Sequence, residues 1–419
     1  MKTVVLDDDP TGTQSATGVR VLLESSAELL EHALAEADSV YVQTNSRAID
    51  EATAVELVST VRSHALEAGR RLGQEVQFVL RGDSTLRGHV FAETSVFLDE
   101  DSVMLFVPAF PDGGRTTRDG VHYVSIDGVD VAAHESEYAD DPVFPFSTAV
   151  LADYVAEKSG RSAVPLGLDV VRDGDGVTRA LLGAAPGSVV VPDAVTNGDI
   201  HAIARAVFEA RTAGASIVVR SASPLAAMLA GVESEGLLRR PLVPHALPTL
   251  LVCGSHTAGA TAQLERVAEE WGDPVVIDTG DALADPRLAA AAASAQVLAQ
   301  LEERGLAVVV SERKRAVEHN TLGHGERVME ALTSVVRTAL PQVDVVVSKG
   351  GITSADVARI GLGARAAIVL GQVLPGVSVW RLDAGDGRTR LYVVVPGNVG
   401  DSSTLVDVLD ALHIQPTSD

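Results

Sequence analysis

Short apolar segments of strand length alternate along the chain with segments whose apolar residues follow a helical spacing. Val58, Val61 and Ala65, for example, recur at the three- and four-residue spacing of one helix face. The candidate strands of the first half are residues 3–6, 40–43, 76–80, 104–107, 165–168, 188–191 and 217–219. Those of the second half are residues 249–253, 275–277, 307–310, 343–347, 366–370, 377–382 and 391–395. This alternation predicts an α/β fold with parallel sheets and helices on both faces.

The length of 419 residues predicts two domains, because a single hydrophobic core rarely grows that large. Residues 231–248 contain three prolines and show little period, so we take them as the domain connection. We expect residues 1–240 and 241–419 to form two three-layer α/β/α domains with largely parallel sheets. In such folds the crevice at the strand ends binds ligands, so we expect an active-site cleft between the two domains.

The composition disfavours several classes of protein. A formal net charge of −24 argues against a nucleic-acid surface, because such a surface depends on Lys and Arg to neutralise phosphates. The single cysteine, Cys253, excludes an internal disulfide and a cysteine-rich zinc site. No apolar run approaches the roughly 20 residues that span a bilayer, and no N-terminal signal segment is recognisable. We therefore expect a cytoplasmic protein without nucleic-acid or membrane partners, and leave open that it forms a homo-oligomer.

Residues 81–89, Arg-Gly-Asp-Ser-Thr-Leu-Arg-Gly-His, directly follow the candidate strand 76–80. Ligands of open α/β sheets bind at the C-terminal ends of strands. Arginine forks and hydroxyl groups at such a position suit a carboxylate or a phosphate. The segment therefore predicts a site for a small polyhydroxylated anion. From these residues alone, a structural ion pair among Arg81, Asp83 and Arg87 under a turn is an equally open alternative.

Three consecutive aspartates, Asp7, Asp8 and Asp9, stand at the end of the first candidate strand, before Pro-Thr-Gly. Neighbouring carboxylates repel one another unless donors, cations or a metal ion offset the repulsion. Such a group indicates a general base for a substrate hydroxyl, or a Mg²⁺ site that acts through water. The structural alternative is a turn with a helix cap. We favour a functional role, though not for all three acids.

Two further segments are expected near this site. A loop rich in Pro and Gly follows the candidate strand 104–107 and makes Arg115 a third candidate anion contact. Residues 124–147 are acidic and interrupted by two prolines, which predicts a long irregular insertion over the site.

Three turns that contain glycine follow strands of the second half, at residues 254–257, 348–354 and 395–401. Glycines at strand exits expose backbone N–H groups, and helix starts add positive potential, so together they suit a polyphosphate. Lys349 could meet a phosphate as a point charge. No Gly-x₄-Gly-Lys-Ser/Thr loop is present in the sequence. The three turns therefore indicate a nucleotide site of a different design.

The ordered set of these motifs resembles that of the four-carbon acid sugar kinases. The matching segments are Asp-Asp-Pro-Thr-Gly at 8–12, Asp-Ser-Thr-Leu-Arg-Gly at 83–88, Pro-Ala-Phe-Pro-Asp-Gly-Gly-Arg at 108–115, Gly-Ser at 254–255, Lys-Gly-Gly-Ile-Thr-Ser at 349–354 and Pro-Gly-Asn-Val-Gly at 396–400. The resemblance covers almost the whole chain. It departs at Pro10, where a hydrophobic residue is more usual, at Arg81, where lysine is common, and at His89, where asparagine is frequent. These departures leave the kinase class intact and the particular sugar acid open.

The resemblance implies an N-terminal domain that binds the sugar acid and a C-terminal domain that binds ATP. It implies catalytic roles for Asp8 and Asp9. The implied substrate contacts are Arg81, Asp83, Ser84 and Arg87. The loop after the candidate strand 104–107 adds Arg115 to them. The implied nucleotide contacts are Ser255, Gly350, Gly351, Ile352, Thr353 and Gly397, to which the same loops add Lys349 and Asn398. ATP and Mg²⁺ are the expected cofactors, and no metal ligand is assigned.

The expected reaction is phosphorylation of the terminal hydroxyl of threonate, erythronate or 3-oxo-tetronate to the 4-phosphate. A kinase of a different or branched sugar acid and a non-catalytic sugar-acid-binding regulator on the same scaffold are the alternatives. A dehydrogenase is disfavoured because the sequence lacks a dinucleotide fingerprint. A Schiff-base aldolase is disfavoured because the N-terminal site motifs contain no lysine.

Overall fold

A computed structural model describes residues 1–126, 128–313 and 322–416. The strands are, in chain order, β1 (Lys2–Asp7), β2 (Arg20–Leu22), β3 (Ser39–Gln43), β4 (Val76–Arg81), β5 (Val103–Val107), β6 (Arg115–Arg118), β7 (Val121–Ile126), β8 (Val129–Ala132), β9 (Ala163–Leu166), β10 (Val189–Pro192), β11 (Ile217–Ser221), β12 (Thr249–Cys253), β13 (Val275–Ile277), β14 (Leu306–Ser311), β15 (Val345–Lys349), β16 (Ala366–Leu374), β17 (Val377–Asp383) and β18 (Thr389–Val395). The α-helices are α1 (Ala27–Glu36), α2 (Glu51–Leu72), α3 (Val90–Ser95), α4 (Leu151–Ser159), α5 (Leu168–Val171), α6 (Gly176–Gly183), α7 (Asn197–Thr212), α8 (Ser223–Ala230), α9 (Ala258–Trp271), α10 (Thr279–Ala284), α11 (Pro286–Arg304), α12 (Leu322–Ala339), α13 (Gly351–Asp356) and α14 (Thr404–Ala411).

The chain divides into two compact units. The first unit comprises Met1–Asp8 and Ser25–Glu233, and the second comprises Asp9–Glu24 and Ser234–Asp419. Residues 9–24 therefore pack with the second half of the chain, although the expected division at 240/241 assigns them to the first domain. That division stays a prediction, and so does the expected cleft between the domains.

The first unit contains a parallel sheet in the order β3-β1-β4-β11-β5-β10-β9. The covering helices form where the sequence supplies both an apolar face and end signals. In α2, Val58 and Val61 are buried, the Asp50 side chain caps the first turn and Gly73 ends the helix at φ +64°. The predicted α/β architecture is confirmed for this unit.

The segment predicted as an irregular insertion is partly regular, which corrects the expectation for residues 124–147. Strands β6, β7 and β8 form a small antiparallel sheet. Burial alternates along β7, where His122 and Val124 are fully buried and the residues next to them are more exposed, which is the pattern of a strand with one covered face. The acidic composition and the prolines concealed this short hairpin.

The second unit contains a mixed sheet in the order β13-β14-β12-β15-β18-β17-β16-β2. Strands β13, β14, β12, β15 and β18 pair parallel with one another in this order, and the pairs β18–β17, β17–β16 and β16–β2 are antiparallel. The expectation of largely parallel sheets holds for β13, β14, β12, β15 and β18, and the antiparallel pairs at the other end of this sheet are the exception to it. Only Pro375 and Gly376 separate β16 from β17, and a parallel crossover needs a dozen residues or more. Within the described residues, no helix is both long and apolar enough to cross a membrane.

Candidate active site

The acidic end of β1 and the arginine loop after β4 lie next to each other because the two strands are parallel neighbours. Asp7 is aligned with Arg81 in the β1–β4 register, and β11 on the other side of β4 aligns Ser221 with Arg81. The C-terminal ends of β1, β4 and β11 therefore bring their following residues to one edge of the sheet. This is the edge at which ligands bind in open α/β sheets.

Buried charged side chains fill this edge. We define the arginine–aspartate cluster as Asp7, Asp8, Asp83, Glu93, Arg47, Arg81, Arg87 and Arg220. The cluster contains as many guanidiniums as carboxylates, which is the pairing that buried charges need.

Asp8 is the carboxylate with the most partners in the cluster. Its Oδ1 lies 3.2 Å from Nη1 of Arg81, and its Oδ2 lies 3.4 Å from Nη2 of Arg220 and 3.7 Å from Nε of Arg47. The backbone N–H of Asp83 also donates to Oδ2, at 3.2 Å. These contacts fix the orientation of a carboxylate that is only 1% exposed.

Asp7 shares the guanidinium of Arg81 with Asp8. Arg81 Nη1 lies 3.1 Å from Oδ1 of Asp7, and both side chains are buried. Burial raises the pKa of Asp7 to about 7, although the charge of Arg81 opposes that shift. Asp7 is therefore a carboxyl group that can carry a proton at neutral pH.

Asp83 organises the arginine loop. Its Oδ2 accepts a hydrogen bond from Nε of Arg87 at 2.8 Å and lies 3.4 Å from Nη1 of Arg47. The hydroxyl of Thr85 also donates to it. Burial alone would raise the pKa of Asp83, but the guanidiniums of Arg87 and Arg47 hold it well below its usual range. Asp83 is thus ionised at neutral pH, and its hydrogen bond orients the guanidinium of Arg87.

The loop glycines leave room for the cluster. A Cβ atom on Gly82 would lie 2.6 Å from Nε of Arg220, so a side chain there would displace that guanidinium. Gly88 has φ +117°, and a Cβ atom on it would lie 3.4 Å from Oδ2 of Asp8. Glycine at 88 therefore lets the loop pass close to the Asp8 carboxylate and the guanidinium of Arg220.

Ser84 is buried, and its carbonyl is held by the small antiparallel sheet. Nε2 of His122 donates to the Ser84 carbonyl at 2.8 Å, because a carbonyl can only accept, and Nδ1 then accepts from the hydroxyl of Thr117 at 3.0 Å. Burial lowers the pKa of His122 to about 4, so the ring is neutral at pH 7. Nε2 of His89 lies 2.9 Å from the carbonyl oxygen of Ile49, and its Nδ1 lies 3.9 Å from Oε2 of the exposed Glu51.

Arg87 and Arg115 lie beside residues of the segment that follows β8. The guanidinium of Arg87 stands 5.0 Å from the ring centre of Tyr138, and its Nη1 lies 3.6 Å from Oδ2 of Asp141. Arg115 hydrogen-bonds to the Tyr138 side chain and donates to the carbonyl of Gly113. At 18%, the Arg87 side chain is more exposed than those of Arg81 and Arg220, which are 2% exposed.

Asp9 is placed differently from Asp8. It belongs to the second unit, where its Oδ1 accepts a hydrogen bond from the backbone N–H of Thr11 at 2.7 Å and caps the 3₁₀ turn Pro10–Ser15. This contact is the helix-cap alternative considered for the three aspartates. A catalytic role for Asp9 stays a prediction.

The three glycine loops of the second unit leave neighbouring parallel strands at the same level. Cys253 of β12 is aligned with Lys349 of β15, and Lys349 is aligned with Val395 of β18. The loops that follow therefore meet at one edge of the sheet. The hydroxyl of Thr257 in the first loop donates to the carbonyl of Gly397 in the third loop at 2.7 Å.

Small residues let these loops approach one another. A Cβ atom on Gly254 would lie 2.4 Å from the hydroxyl oxygen of Thr353, and one on Gly397 would lie 2.7 Å from that of Ser255. Gly350 has φ +109°, which only glycine adopts readily. The remaining predicted nucleotide contacts, Gly351, Ile352 and Asn398, lie at the start of α13 and directly after Gly397.

Lys349 is placed under the third loop. Its side chain is fully buried, and its ammonium donates to the carbonyl oxygens of Pro396 at 2.6 Å and Val399 at 3.3 Å. Burial lowers the pKa of Lys349 to about 8. This placement supports a role in shaping the loop, and direct contact with a phosphate stays a prediction.

Sequence reasoning missed Arg47, Glu93 and Arg220 of the cluster, as well as His122 and Tyr138. Arg220 carried a usable signal, because a charged side chain within the apolar run Ile217–Ser221 must be paired once the strand is buried. Arg47 carried none, since it lies in a short turn after β3 without any motif around it.

Comparison with known proteins finds two family models that match successive parts of the chain. A family model described as a sugar-binding N-terminal domain matches residues 3–229, and one described as a nucleotide-binding C-terminal domain matches residues 250–405. The chain belongs to the four-carbon acid sugar kinase family. It is 28% identical to a D-erythronate kinase of Heliobacterium modesticaldum, over 98% of this chain and 96% of that protein.

Two further comparisons bear on the family and on the fold, respectively. The chain is 28% identical to a D-threonate kinase of Bordetella bronchiseptica, over 92% of this chain and 89% of that protein. The solved structure of the Haemophilus influenzae protein HI1011 superimposes with a TM-score of 0.59 at 22% identity, over 98% of both chains. The predicted family and the α/β fold are therefore confirmed.

Proposed function

We propose that the protein transfers the γ-phosphate of ATP to the terminal hydroxyl of a four-carbon sugar acid and releases its 4-phosphate. Threonate, erythronate and 3-oxo-tetronate are the candidate acceptors. The arginine–aspartate cluster carries the proposal, because it combines cations for a carboxylate with a fixed carboxylate for a hydroxyl. The names of the kinases to which the chain is similar support the same class of acceptor.

The contacts of the cluster suggest how its arginines divide their roles. Arg81 and Arg220 are buried against Asp8, so we assign them to hold that carboxylate in place. Arg87 keeps part of its guanidinium exposed and is aimed by Asp83, so we assign it to the carboxylate of the sugar acid. In this scheme Arg81, which was predicted to contact the substrate, instead holds the Asp8 carboxylate.

Asp8 is the proposed partner of the acceptor hydroxyl. A carboxylate within hydrogen-bond reach can orient the hydroxyl and take its proton as the bond to phosphorus forms. Gly88 carries no side chain beside Oδ2 of Asp8, where a Cβ atom would lie 3.4 Å from that oxygen. General-base catalysis of this kind contributes about 10²- to 10⁴-fold in rate.

The glycine loops of the second unit fit a nucleotide polyphosphate. Gly254 and Gly397 leave room at the strand ends for the hydroxyl groups of Thr353 and Ser255, and α9 begins directly after the first loop. Within the described ranges, no group of three or more His, Cys, Asp and Glu side chains is arranged to hold a metal ion. We therefore propose that Mg²⁺ enters with ATP, since Mg²⁺ at such sites is bound largely by phosphates and water. When bound, it would neutralise charge on the transferring phosphate.

A coupled assay of ADP release tests the proposal. The full chain is supplied with ATP, Mg²⁺ and, separately, the stereoisomers of threonate, erythronate and 3-oxo-tetronate, with branched sugar acids alongside. ADP release that depends on one of the four-carbon acids is expected. Release with a branched acid alone would change the acceptor class, and binding of an acid without any release would indicate a regulator.

A further inference from the structure

A covering segment, residues 133–146, lies over the arginine loop within the first unit. It is anchored by the buried side chains of Tyr138 and Phe146, and the backbone N–H of Phe146 donates to the carbonyl of Ala139 at 3.2 Å. Oδ1 of Asp141 accepts hydrogen bonds from the backbone N–H groups of residues 143 and 144 at 2.9 and 3.0 Å. The segment therefore has a defined conformation built on its own contacts.

Tyr138 touches both arginines that the family assignment and the loop motif direct at the acid. Its ring face supports the guanidinium of Arg87, 5.0 Å from the ring centre, and its phenol group hydrogen-bonds to Arg115. Tyrosine can make both contacts because its ring face is negative and its oxygen accepts a hydrogen bond.

Two guanidiniums repel each other unless something between them offsets their charges. Tyr138 supplies a neutral support, since burial raises the pKa of its phenol above the ordinary value. Asp141 is the charged group of the segment that reaches Arg87, and at 3.6 Å its contact is loose. Arg87 thus keeps N–H groups that can bind an incoming carboxylate, while the ring of Tyr138 fixes its position.

We propose that Tyr138 is a positioning residue that sets the separation of the Arg87 and Arg115 guanidiniums and so makes the site selective for a carboxylate-bearing acceptor. The inference rests on the proposed function, because it assigns these two guanidiniums to the acid. It adds a specificity determinant on a segment without any motif of its own.

The test compares Tyr138→Phe with Tyr138→Leu in the full chain. Phe keeps the ring in the core and the support of Arg87 but loses the bond to Arg115, whereas Leu loses both. Tyr123→Phe is the matched control, because the Tyr123 ring lies under the guanidinium of Arg118, at 4.8 Å, outside the cluster. D-threonate and D-erythronate are used as acceptors, each beside its neutral carboxamide.

Tyr138→Phe is expected to raise the KM for the acid about tenfold, the range of one hydrogen bond to a charged group, and Tyr138→Leu to raise it further. The KM for ATP and the rate with the carboxamide should not change, so the preference for acid over carboxamide falls. Tyr123→Phe should behave as the unmodified protein does.

An unchanged acid KM in Tyr138→Phe would overturn the inference. An equal loss with acid and carboxamide would also overturn it, because a purely structural role does not distinguish the two. Calorimetric binding of the acids to the unmodified protein separates this inference from the proposed function. Binding without turnover refutes the kinase reaction and leaves acid selectivity to be measured in the variants, whereas absence of both binding and turnover refutes both.

Discussion

Replacing Asp7 by asparagine should remove part of the pH dependence of stability. The folded protein raises the pKa of Asp7 from 3.8 to about 7 through burial, so the folded state holds a proton that the unfolded chain releases. Stability from this group is complete below pH 3.8 and is lost as the pH rises through 7. One bound proton corresponds to about 1.4 kcal/mol per pH unit, so the loss between pH 5 and 7 is about 2–3 kcal/mol. Asparagine keeps an Oδ1 acceptor for Arg81 and does not titrate.

The assay is urea unfolding followed by circular dichroism at several values between pH 5 and 8. The free energy of unfolding of the unmodified protein, minus that of Asp7→Asn, is expected to fall over this range. Asp38→Asn is the control, because the exposed Asp38 carboxyl is paired with Lys2, which lowers its pKa, and is ionised throughout the range. A difference that stays flat or rises with pH would refute the account of Asp7.

Two further substitutions test the cluster and the glycine loops. Arg220→Met should cost about 3–5 kcal/mol in urea unfolding, because it strands the buried carboxylate of Glu93. Arg365→Met, which removes an exposed guanidinium paired with the half-exposed Glu24 carboxylate, should cost less than about 1 kcal/mol, and equal losses in the two variants would show that burial does not strengthen the Arg220–Glu93 pair. Gly254→Ala should weaken ADP binding about tenfold or more in calorimetry, because its Cβ would lie 2.4 Å from a threonine hydroxyl and force the loops apart. Gly259→Ala, whose Cβ meets open space, should bind ADP normally, and unchanged affinity in both would contradict the role of the loops.

Much of the fold was predictable because strand formation here depends on local apolar runs. The predicted strand 249–253 coincides with β12, and the alternation with helices gave the parallel core of both units. The antiparallel pairing of β16, β17 and β18 was not predicted, because strand direction depends on the length of the connections and not on the apolar runs themselves. The packing of residues 9–24 with the second half was missed for a related reason, since sequence order does not report long-range contacts.

The candidate site was predictable where several polar residues share one loop. The segment around Asp83 and Arg87 was found in this way. Its two interpretations, a structural ion pair and an anion site, are compatible, because the ion pair with Asp83 orients the Arg87 side chain. Single residues that reach the site from distant elements gave no local pattern. Arg47 and Tyr138 are of this kind, because only the folded chain brings them to the loop.

The proposed function assigns Asp8 to phosphoryl transfer to the terminal hydroxyl of a four-carbon sugar acid. The most direct measurement is ³¹P NMR of the reaction mixture with ATP, Mg²⁺ and the acid that the screen identifies, with the unmodified protein and Asp8→Asn compared. We expect a 4-phosphate with the unmodified protein and a rate at least about 10²-fold lower with Asp8→Asn, at equal ADP affinity. Phosphate on another oxygen of the acid, or an undiminished rate in Asp8→Asn, would contradict it.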